Sequence, residues 1–216
     1  MLMNQWESRW QDGHIGFHLP EVNPILVQYS DELLFESPER VFVPFCGKSL
    51  DLCWLASKTN KVLGVELVGK AVQDFFAENN ITNSIHQIDK FELFSSKSID
   101  IFQGDFFELK LEQTSTFKAI YDRASIVSLQ KAERNKYVDH LISFLEPGGR
   151  ILLITLEYEQ KRMDGPPYSV PSEEIEKLFT PYGTLELLES SEILDERFRN
   201  KGLDSLLEHV FMIIKK

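Results

Sequence analysis

This chain of 216 residues lacks an excess of positive charge. It contains 23 Lys and Arg against 34 Asp and Glu, which gives a net charge of −11. Because binding to a nucleic-acid backbone needs a concentrated positive face, we expect no nucleic-acid partner. Cysteines are scarce as well. Cys46 and Cys53 are too few for a disulfide framework and lack the C-x-x-C spacing of a redox pair.

Long apolar runs are also missing. The longest aliphatic run, residues 151–154, is far shorter than the roughly 20 residues that span a bilayer. The N-terminal segment 1–10 contains charges and tryptophans instead of the apolar stretch of a signal peptide. We therefore expect a cytoplasmic protein without a membrane partner. The chain length and the hydrophobic share of 43% predict one domain over residues 1–216 with a full core, and we expect a monomer.

A βαβ unit is predicted in residues 40–67 (RVFVPFCGKSLDLCWLASKTNKVLGVEL). Apolar runs at 41–43 and 62–65 indicate strands, and the segment 50–55 between them indicates a helix. Glu66 closes the second strand about 20 residues after Gly47, where a carboxylate can accept hydrogen bonds from ribose hydroxyls. This position predicts an adenosine-containing ligand and a Glu66 side chain outside the core. An ordinary turn with a solvated Glu66 is the alternative that this segment alone leaves open.

The glycines of a phosphate-binding loop are missing from this unit. A dinucleotide site needs G-x-G-x-x-G, but the turn contains only Gly47, which disfavours an NAD-dependent oxidoreductase. A P-loop needs a glycine where this chain has Phe42. S-adenosylmethionine (SAM) contains adenosine and ribose but no phosphate, so it is the ligand that these residues favour.

The rest of the chain alternates predicted strands and helices. Helices are predicted at 68–80, at 132–145 and, with Ser172 as its N-cap, at 172–179. Strands are predicted at 99–105, 117–122, 151–158, 184–194 and 209–214, with an extra hairpin at 84–94. This order predicts an α/β fold: a doubly wound, mostly parallel seven-stranded sheet with an antiparallel C-terminal edge, similar to the Rossmann-like methyltransferase fold.

Several motifs occur in order along nearly the whole chain. They are W-x-x-x-W…F-H (Trp6, Trp10, Phe17, His18), V-P-F-C-G-K-S (43–49), G-V-E (64–66), G-D-F-F (104–107), Y-D-R-A (121–124), L-E-Y…G-P-P-Y-S-V-P (156–171) and E-R…G-L-D (196–204). Together these motifs resemble the thiopurine S-methyltransferases. One departure is Phe45, because these enzymes usually have leucine there; phenylalanine keeps an apolar wall but adds bulk.

The resemblance implies a SAM site with S-adenosyl-L-homocysteine as the product. It implies that residues 1–20 form a helical lid over the cofactor, that Arg123 and Arg197 are catalytic, and that Phe17 and Arg197 bind the acceptor. The cofactor-binding residues that it implies are Trp10, Phe45, Glu66, Arg123, Trp6, Asp105 and Phe106.

Side-chain chemistry supports these assignments. Phe45 and Phe106 are expected to sandwich the adenine, and Asp105 is expected to meet its amino group. Trp6 and Trp10 are neighbours on one face of a helix and can cover the sulfonium. An amphipathic helix packed on the core is the alternative for the tryptophans.

The implied reaction is methyl transfer from SAM to the sulfur of a small aromatic or heterocyclic thiol. A guanidinium near the thiol lowers its pKa and favours the nucleophilic thiolate; for Arg197, in a polar loop, a surface ion pair is the alternative. Other readings remain open: the same fold acting on selenium or tellurium species, halide or another small acceptor such as a hydroxyl oxygen, or a SAM-binding protein without catalysis.

Three other features are set aside. The string 164–168 (DGPPY) lacks the first polar residue of the [DN]-P-P-Y motif of amino-methylating enzymes and follows the wrong strand. His14 and His18 have a metal-compatible spacing, but glycines break any helix there, so no metal is expected. Cys46 lacks the partners of a nucleophile and is expected to be buried.

Overall fold

The computed structural model describes residues 2–35 and 38–216, with the side chains of residues 5–35 and 38–216. The chain forms two compact units, residues 1–114 and 115–216. Met1, the first residue of the predicted lid, lies outside the described residues.

The first unit contains six helices and five strands among its described residues. In chain order they are α1 (Leu2–Gln11), α2 (Pro24–Gln28), α3 (Ser30–Leu33), β1 (Arg40–Pro44), α4 (Asp51–Ala56), β2 (Lys61–Glu66), α5 (Gly69–Glu78), β3 (Ser84–Ile88), β4 (Phe91–Ser95), β5 (Ile99–Gln103) and α6 (Leu111–Thr114), with a 3-10 turn at Phe106–Glu108 before α6.

The strands of this unit lie in the order β3-β4-β5-β2-β1. β1, β2 and β5 are parallel, and the β3–β4 hairpin adds antiparallel strands beside β5. β1 and β2 are buried almost throughout, as expected for parallel strands covered on both faces. Because parallel strands end at one edge, the turns after β1, β2 and β5 lie close together there.

The second unit contains β6 (Phe117–Arg123), a 3-10 turn (Ile126–Ser128), α7 (Lys131–Ser143), β7 (Leu145–Glu157), a 3-10 turn (Gln160–Arg162), α8 (Ser172–Phe179), β8 (Gly183–Glu192), α9 (Glu196–Arg199) and β9 (Leu207–Lys215). Its strands lie in the order β6-β7-β9-β8. β6 and β7 are parallel, and β9 is antiparallel to both β7 and β8. The predicted antiparallel pair at the C-terminus is confirmed.

Four details of the prediction are wrong. The described residues contain nine strands rather than seven, because the hairpin at 84–94 contributes two strands that the count left out. Ser172 is the first helical residue of α8 and Pro171 is the N-cap. The helix predicted at 132–145 ends earlier and the strand predicted at 151–158 begins earlier, because α7 ends at Ser143 and β7 already begins at Leu145.

The fourth error concerns the N-terminal lid, which is helical only as far as Gln11. Gly13 adopts a φ of 71°, and the N–H of His14 donates to the carbonyl of Arg9 at 2.8 Å. This is the pattern by which a glycine in the left-handed region ends a helix. Residues 12–20 therefore continue as turns. Among the described residues, no helix is long and apolar enough to cross a membrane.

Candidate active site

Glu66 is a buried carboxylate that connects two strand-end turns. It is 7% exposed at the end of β2. Its Oε2 accepts a hydrogen bond from the N–H of Gly47 at 2.9 Å, and its Oε1 accepts one from the N–H of Val68 at 2.8 Å. Burial raises the pKa of Glu66, and these backbone N–H groups offset part of that rise. The expectation that Glu66 lies outside the core is therefore wrong.

The turn after β1 is held in a strained backbone conformation. Phe45 has a φ of 46° and Gly47 a φ of 53°, and a positive φ is unusual for a bulky side chain such as phenylalanine. The N–H of Cys46 donates to the carbonyl of Val65 at 3.0 Å, which ties the turn to β2. This conformation points the Gly47 N–H at Glu66, which explains why the turn and the acid lie together.

Gly64 and Cys46 fit against each other beneath this turn. A Cβ at Gly64 would lie only 2.7 Å from the Cys46 sulfur, so the strand has room only for glycine. Cys46 is 6% exposed, and burial, followed by the charge of Glu66, raises the pKa of its thiol. Cys46 is thus a packing residue, and the sequence motifs alone do not reveal that it pairs with Gly64.

The expected adenine sandwich between Phe45 and Phe106 is wrong in this structure. Their ring centroids are 5.4 Å apart at an interplanar angle of 88°, whereas a sandwich needs two parallel rings about 7 Å apart, twice an aromatic stacking distance. Phe106 is 2% exposed and stacks on Phe42, so it is part of the core. Phe45 remains half-buried and is the ring of the two that a ligand can reach.

Asp105 follows β5 at the same edge of the first unit. It is exposed, and its Oδ1 accepts a hydrogen bond from the N–H of Phe107 at 2.9 Å, which caps the 3-10 turn. This bond fixes the carboxylate at the turn. The expected contact with an adenine amino group stays a prediction.

The N-terminal helix packs its aromatic face against the start of α5. Trp10 is 4% exposed and forms a buried cluster with Val68 and Ala71. The ring of Phe17 packs edge-on against Trp6 and Trp10, with centroids 5.9 and 5.7 Å apart. Both tryptophans lie on a helix, as predicted.

Trp10 also reaches the strand-end turn. A Cβ at Gly47 would lie 3.3 Å from the Trp10 ring, so the indole contacts the residue whose N–H Glu66 holds. The core-packing alternative for Trp10 is therefore correct as a description of its surroundings. It does not compete with the cofactor assignment, because this packing places the indole at the turn.

Arg123 and Arg197 both belong to the second unit. Arg123 ends β6, and Ala124 after it has a φ of 63°. Arg197 lies on α9, not in the predicted loop, and its guanidinium carbon is 4.5 Å from the centroid of the Phe198 ring. Its Nε is 3.9 Å from a carboxylate oxygen of Asp195, and the two side chains are 53% and 55% exposed. An ion pair this long and this exposed contributes little to stability, and it is the surface pair that the alternative for Arg197 describes; its catalytic role stays a prediction.

The guanidinium of Arg197 lies over one ring of an apolar cluster, which we call the Phe198 cluster. Its buried members are Tyr158, Phe198, Leu203 and Leu206, and Leu156, Met163 and Leu194 pack against it.

The Pro-rich segment 164–168 is a loop, as the sequence indicates. The Gly165–Pro166 and Pro166–Pro167 peptide bonds are cis. The Tyr158 hydroxyl donates to the carbonyl of Pro167 at 2.6 Å. Through Tyr158 the loop is connected to the Phe198 cluster.

Sequence reasoning missed one buried acid of this unit. Asp122 is fully buried, and its Oδ2 accepts a hydrogen bond from the Tyr137 hydroxyl at 2.5 Å. Burial raises the pKa of Asp122 to about 6. Asp122 directly precedes Arg123, so its place in the Y-D-R string was the signal that could have found it.

Comparisons with known proteins show which family this chain is similar to. The model of the thiopurine S-methyltransferase (TPMT) family matches residues 1–216. A thiopurine S-methyltransferase of Pseudomonas fluorescens is 41% identical over 213 residues, which cover 98% of each chain. One of Nitrosospira multiformis is 41% identical over 218 residues, which cover 100% of this chain and 99% of the relative.

A solved structure shares the fold. The 1,6-didemethyltoxoflavin-N1-methyltransferase of Burkholderia thailandensis, crystallised with S-adenosylhomocysteine, is 16% identical and superposes with a TM-score of 0.67 over 100% of this chain and 87% of its own. This likeness confirms the predicted Rossmann-like methyltransferase fold. Since the family model spans the full length and the relatives are 41% identical across nearly all of both chains, this chain belongs to the thiopurine S-methyltransferase family.

Proposed function

We propose that this SAM-dependent S-methyltransferase uses a small aromatic or heterocyclic thiol, of the thiopurine type, as its acceptor. The observation that carries the proposal is the family match over residues 1–216. The relatives carry the name thiopurine S-methyltransferase, and the geometry of the two units supports the chemistry.

The carboxylate of Glu66 is suited to hold the ribose of SAM. An ionised carboxylate offers about four acceptor positions, and backbone N–H groups occupy two of them, one on each oxygen. The two oxygens can therefore still accept from the two vicinal ribose hydroxyls. Trp10 and Phe45 border the same turn and supply apolar surface for the rest of the cofactor, with Trp6 beside Trp10 on α1.

Methyl transfer to a thiolate requires little acid–base chemistry from the protein. SAM supplies a methyl group on a positively charged sulfur, and an in-line attack by a thiolate neutralises that charge. The enzyme must align the two ligands, exclude water and keep the acceptor ionised. We assign the last task to the guanidinium groups of Arg123 and Arg197, with the Phe198 cluster as an apolar wall for an aromatic acceptor.

The proposal is tested by transfer of a radiolabelled methyl group from SAM to 6-mercaptopurine and to a series of aromatic thiols. Turnover of thiols is expected. If the protein binds SAM but methylates none of the thiols, the acceptor assignment is wrong. Iodide, selenium and tellurium oxyanions belong in the same assay, because turnover on one of them without turnover on thiols would identify the alternative acceptors. The cytoplasmic location, the monomeric state and the single domain stay predictions.

A further inference from the structure

Glu208 lies on the same face of the second unit's sheet as Arg123. Glu208 on β9 is the register partner of Leu156 on β7, and Arg123 is the register partner of Ile154. Register partners point to the same face of a sheet, and so do residues two apart on one strand. Because neighbouring strands lie about 4.8 Å apart, Arg123 and Glu208 flank β7 at roughly 10 Å across the sheet, within the combined reach of their long side chains.

The Phe198 cluster, over which the Arg197 side chain lies, packs on the same face of the sheet. Leu156, the partner of Glu208, packs against the Phe198 cluster, and the guanidinium of Arg197 lies 4.5 Å over the Phe198 ring. Glu208 is thus placed beside the Phe198 cluster, over which Arg197 lies, and on the same face of the sheet as Arg123. An acceptor that contacts the Phe198 cluster and the guanidinium of Arg123 also comes close to the Glu208 carboxylate.

The surroundings of Glu208 make its carboxylate a better proton acceptor than a solvated one. The side chain is half-buried. Burial raises the pKa of Glu208, the positive charge of Arg123 counteracts that rise, and the negative charge of Glu189 adds to it. A carboxylate whose pKa is moved towards neutrality by its surroundings is typical of general bases.

From this placement we infer that Glu208 is a catalytic residue that takes the proton of a neutral thiol acceptor during methyl transfer. The inference rests on the proposed function. As the S–H bond breaks, its proton moves to a carboxylate oxygen of Glu208 and its electron pair stays on sulfur. The sulfur forms a bond to the methyl carbon while the carbon–sulfonium bond breaks, which leaves S-adenosyl-L-homocysteine and the methyl thioether. Glu208 returns the proton to water, so each turnover releases one proton.

The experiment compares Glu208→Gln with the wild-type enzyme on two aromatic thiols, one weakly acidic and one strongly acidic. Two pH units below its pKa a thiol is only about one hundredth ionised, so a base can contribute at most about 100-fold with the weak acid. With that thiol, kcat/KM is expected to fall between about tenfold and about 100-fold. With the thiol that is already ionised, no loss is expected, because a negative Glu208 only repels it.

Matched variants separate this role from a structural one. Glu186→Gln on the exposed side of β8 removes the same charge and should leave both thiols unaffected, and Glu208→Asp should restore part of the loss. SAM affinity and the melting temperature of Glu208→Gln should stay close to wild type. An equal loss with both thiols, or an unchanged pH profile with the weak acid, would overturn the inference. Failure of the wild-type enzyme on every thiol would instead contradict the proposed acceptor class.

Discussion

Replacing Glu66 by glutamine is expected to weaken both SAM binding and folding. The two carboxylate oxygens accept from the N–H groups of Gly47 and Val68 at 2.9 and 2.8 Å, but a glutamine side chain has one oxygen and one NH2 group. Whichever way the amide turns, one backbone N–H loses its acceptor and faces another donor. The turn after β1 or the turn after β2 must then move.

The sizes of the two effects follow from these bonds. A hydrogen bond to a charged group contributes about 1.5–3 kcal/mol, so loss of the charge-assisted bond to ribose lowers SAM affinity about tenfold to 100-fold. A buried backbone N–H without a partner costs about 1–3 kcal/mol of unfolding free energy. The burial that raises the pKa of Glu66 works in the opposite direction, because glutamine has no charge to desolvate. We expect a net destabilisation of about 1–2 kcal/mol.

Calorimetric titration with SAM and urea unfolding of the same preparation measure the two effects. The titration is made where circular dichroism shows the variant fully folded, so that weak binding does not reflect unfolding. Glu92→Gln, at an exposed position of β4, removes the same charge and is the control. Unchanged SAM affinity in folded Glu66→Gln would show that Glu66 lies outside the cofactor site. Unchanged unfolding free energy would show that the two turns do not depend on the carboxylate.

Further variants test the remaining assignments. Arg197→Ala should raise the acceptor KM or lower kcat with SAM affinity nearly unchanged, whereas Arg123→Ala should weaken both; calorimetry with SAM beside steady-state kinetics distinguishes them, and equal effects would refute the division. Because burial raises the pKa of Asp122 to about 6, its ionisation costs the folded state free energy as pH rises from about 4 to about 6. Asp122→Asn should remove that decline, on the order of 2 kcal/mol, in urea unfolding at about pH 4 and about pH 7; an unchanged pH dependence would contradict the burial argument. Gly64→Ala should cost about 1–3 kcal/mol by overpacking, and Cys46→Ala should recover part of it in the double variant; additive losses would mean that the two residues do not collide.

Most of the fold was predictable because the spacing of hydrophobic residues along the chain differs between helices and strands. The parallel strands are short apolar runs bounded by turn residues, and the antiparallel pair at the C-terminus lacks a long helix between its strands. The count of strands failed at residues 84–94. The hairpin itself was predicted there, but β3 is exposed along most of its length, so the sequence has no core-facing pattern to show that the hairpin joins the sheet.

The site was predictable in position but not in packing. The spacing from Gly47 places Glu66 at the strand end, because the length of a βαβ unit fixes which residues meet at the edge of the sheet. The burial of Glu66 was not predictable, because it depends on how the turns after β1 and β2 close around the carboxylate. The predicted adenine sandwich between Phe45 and Phe106 is wrong for the same reason. The angle between two rings depends on tertiary packing, and the sequence of two aromatic residues is compatible with an edge-on pair as well as with a sandwich.

The residues with a positive φ show where local propensity is overridden. Phe45 and Ala124 adopt φ values of 46° and 63° directly after β1 and β6, although the left-handed region costs a non-glycine residue about 1–2 kcal/mol. Such strain persists only where the surroundings determine the backbone, and it is concentrated at ligand-binding positions. In the turn of Phe45 the determinants are visible: the carbonyl of Val65 holds the N–H of Cys46, and Glu66 holds the N–H of Gly47. A glycine at position 45 would relieve the strain, but it would also remove the half-buried ring that packs edge-on against Phe106. Phenylalanine therefore stands where backbone preference alone favours glycine, and its contact with the cofactor stays a prediction.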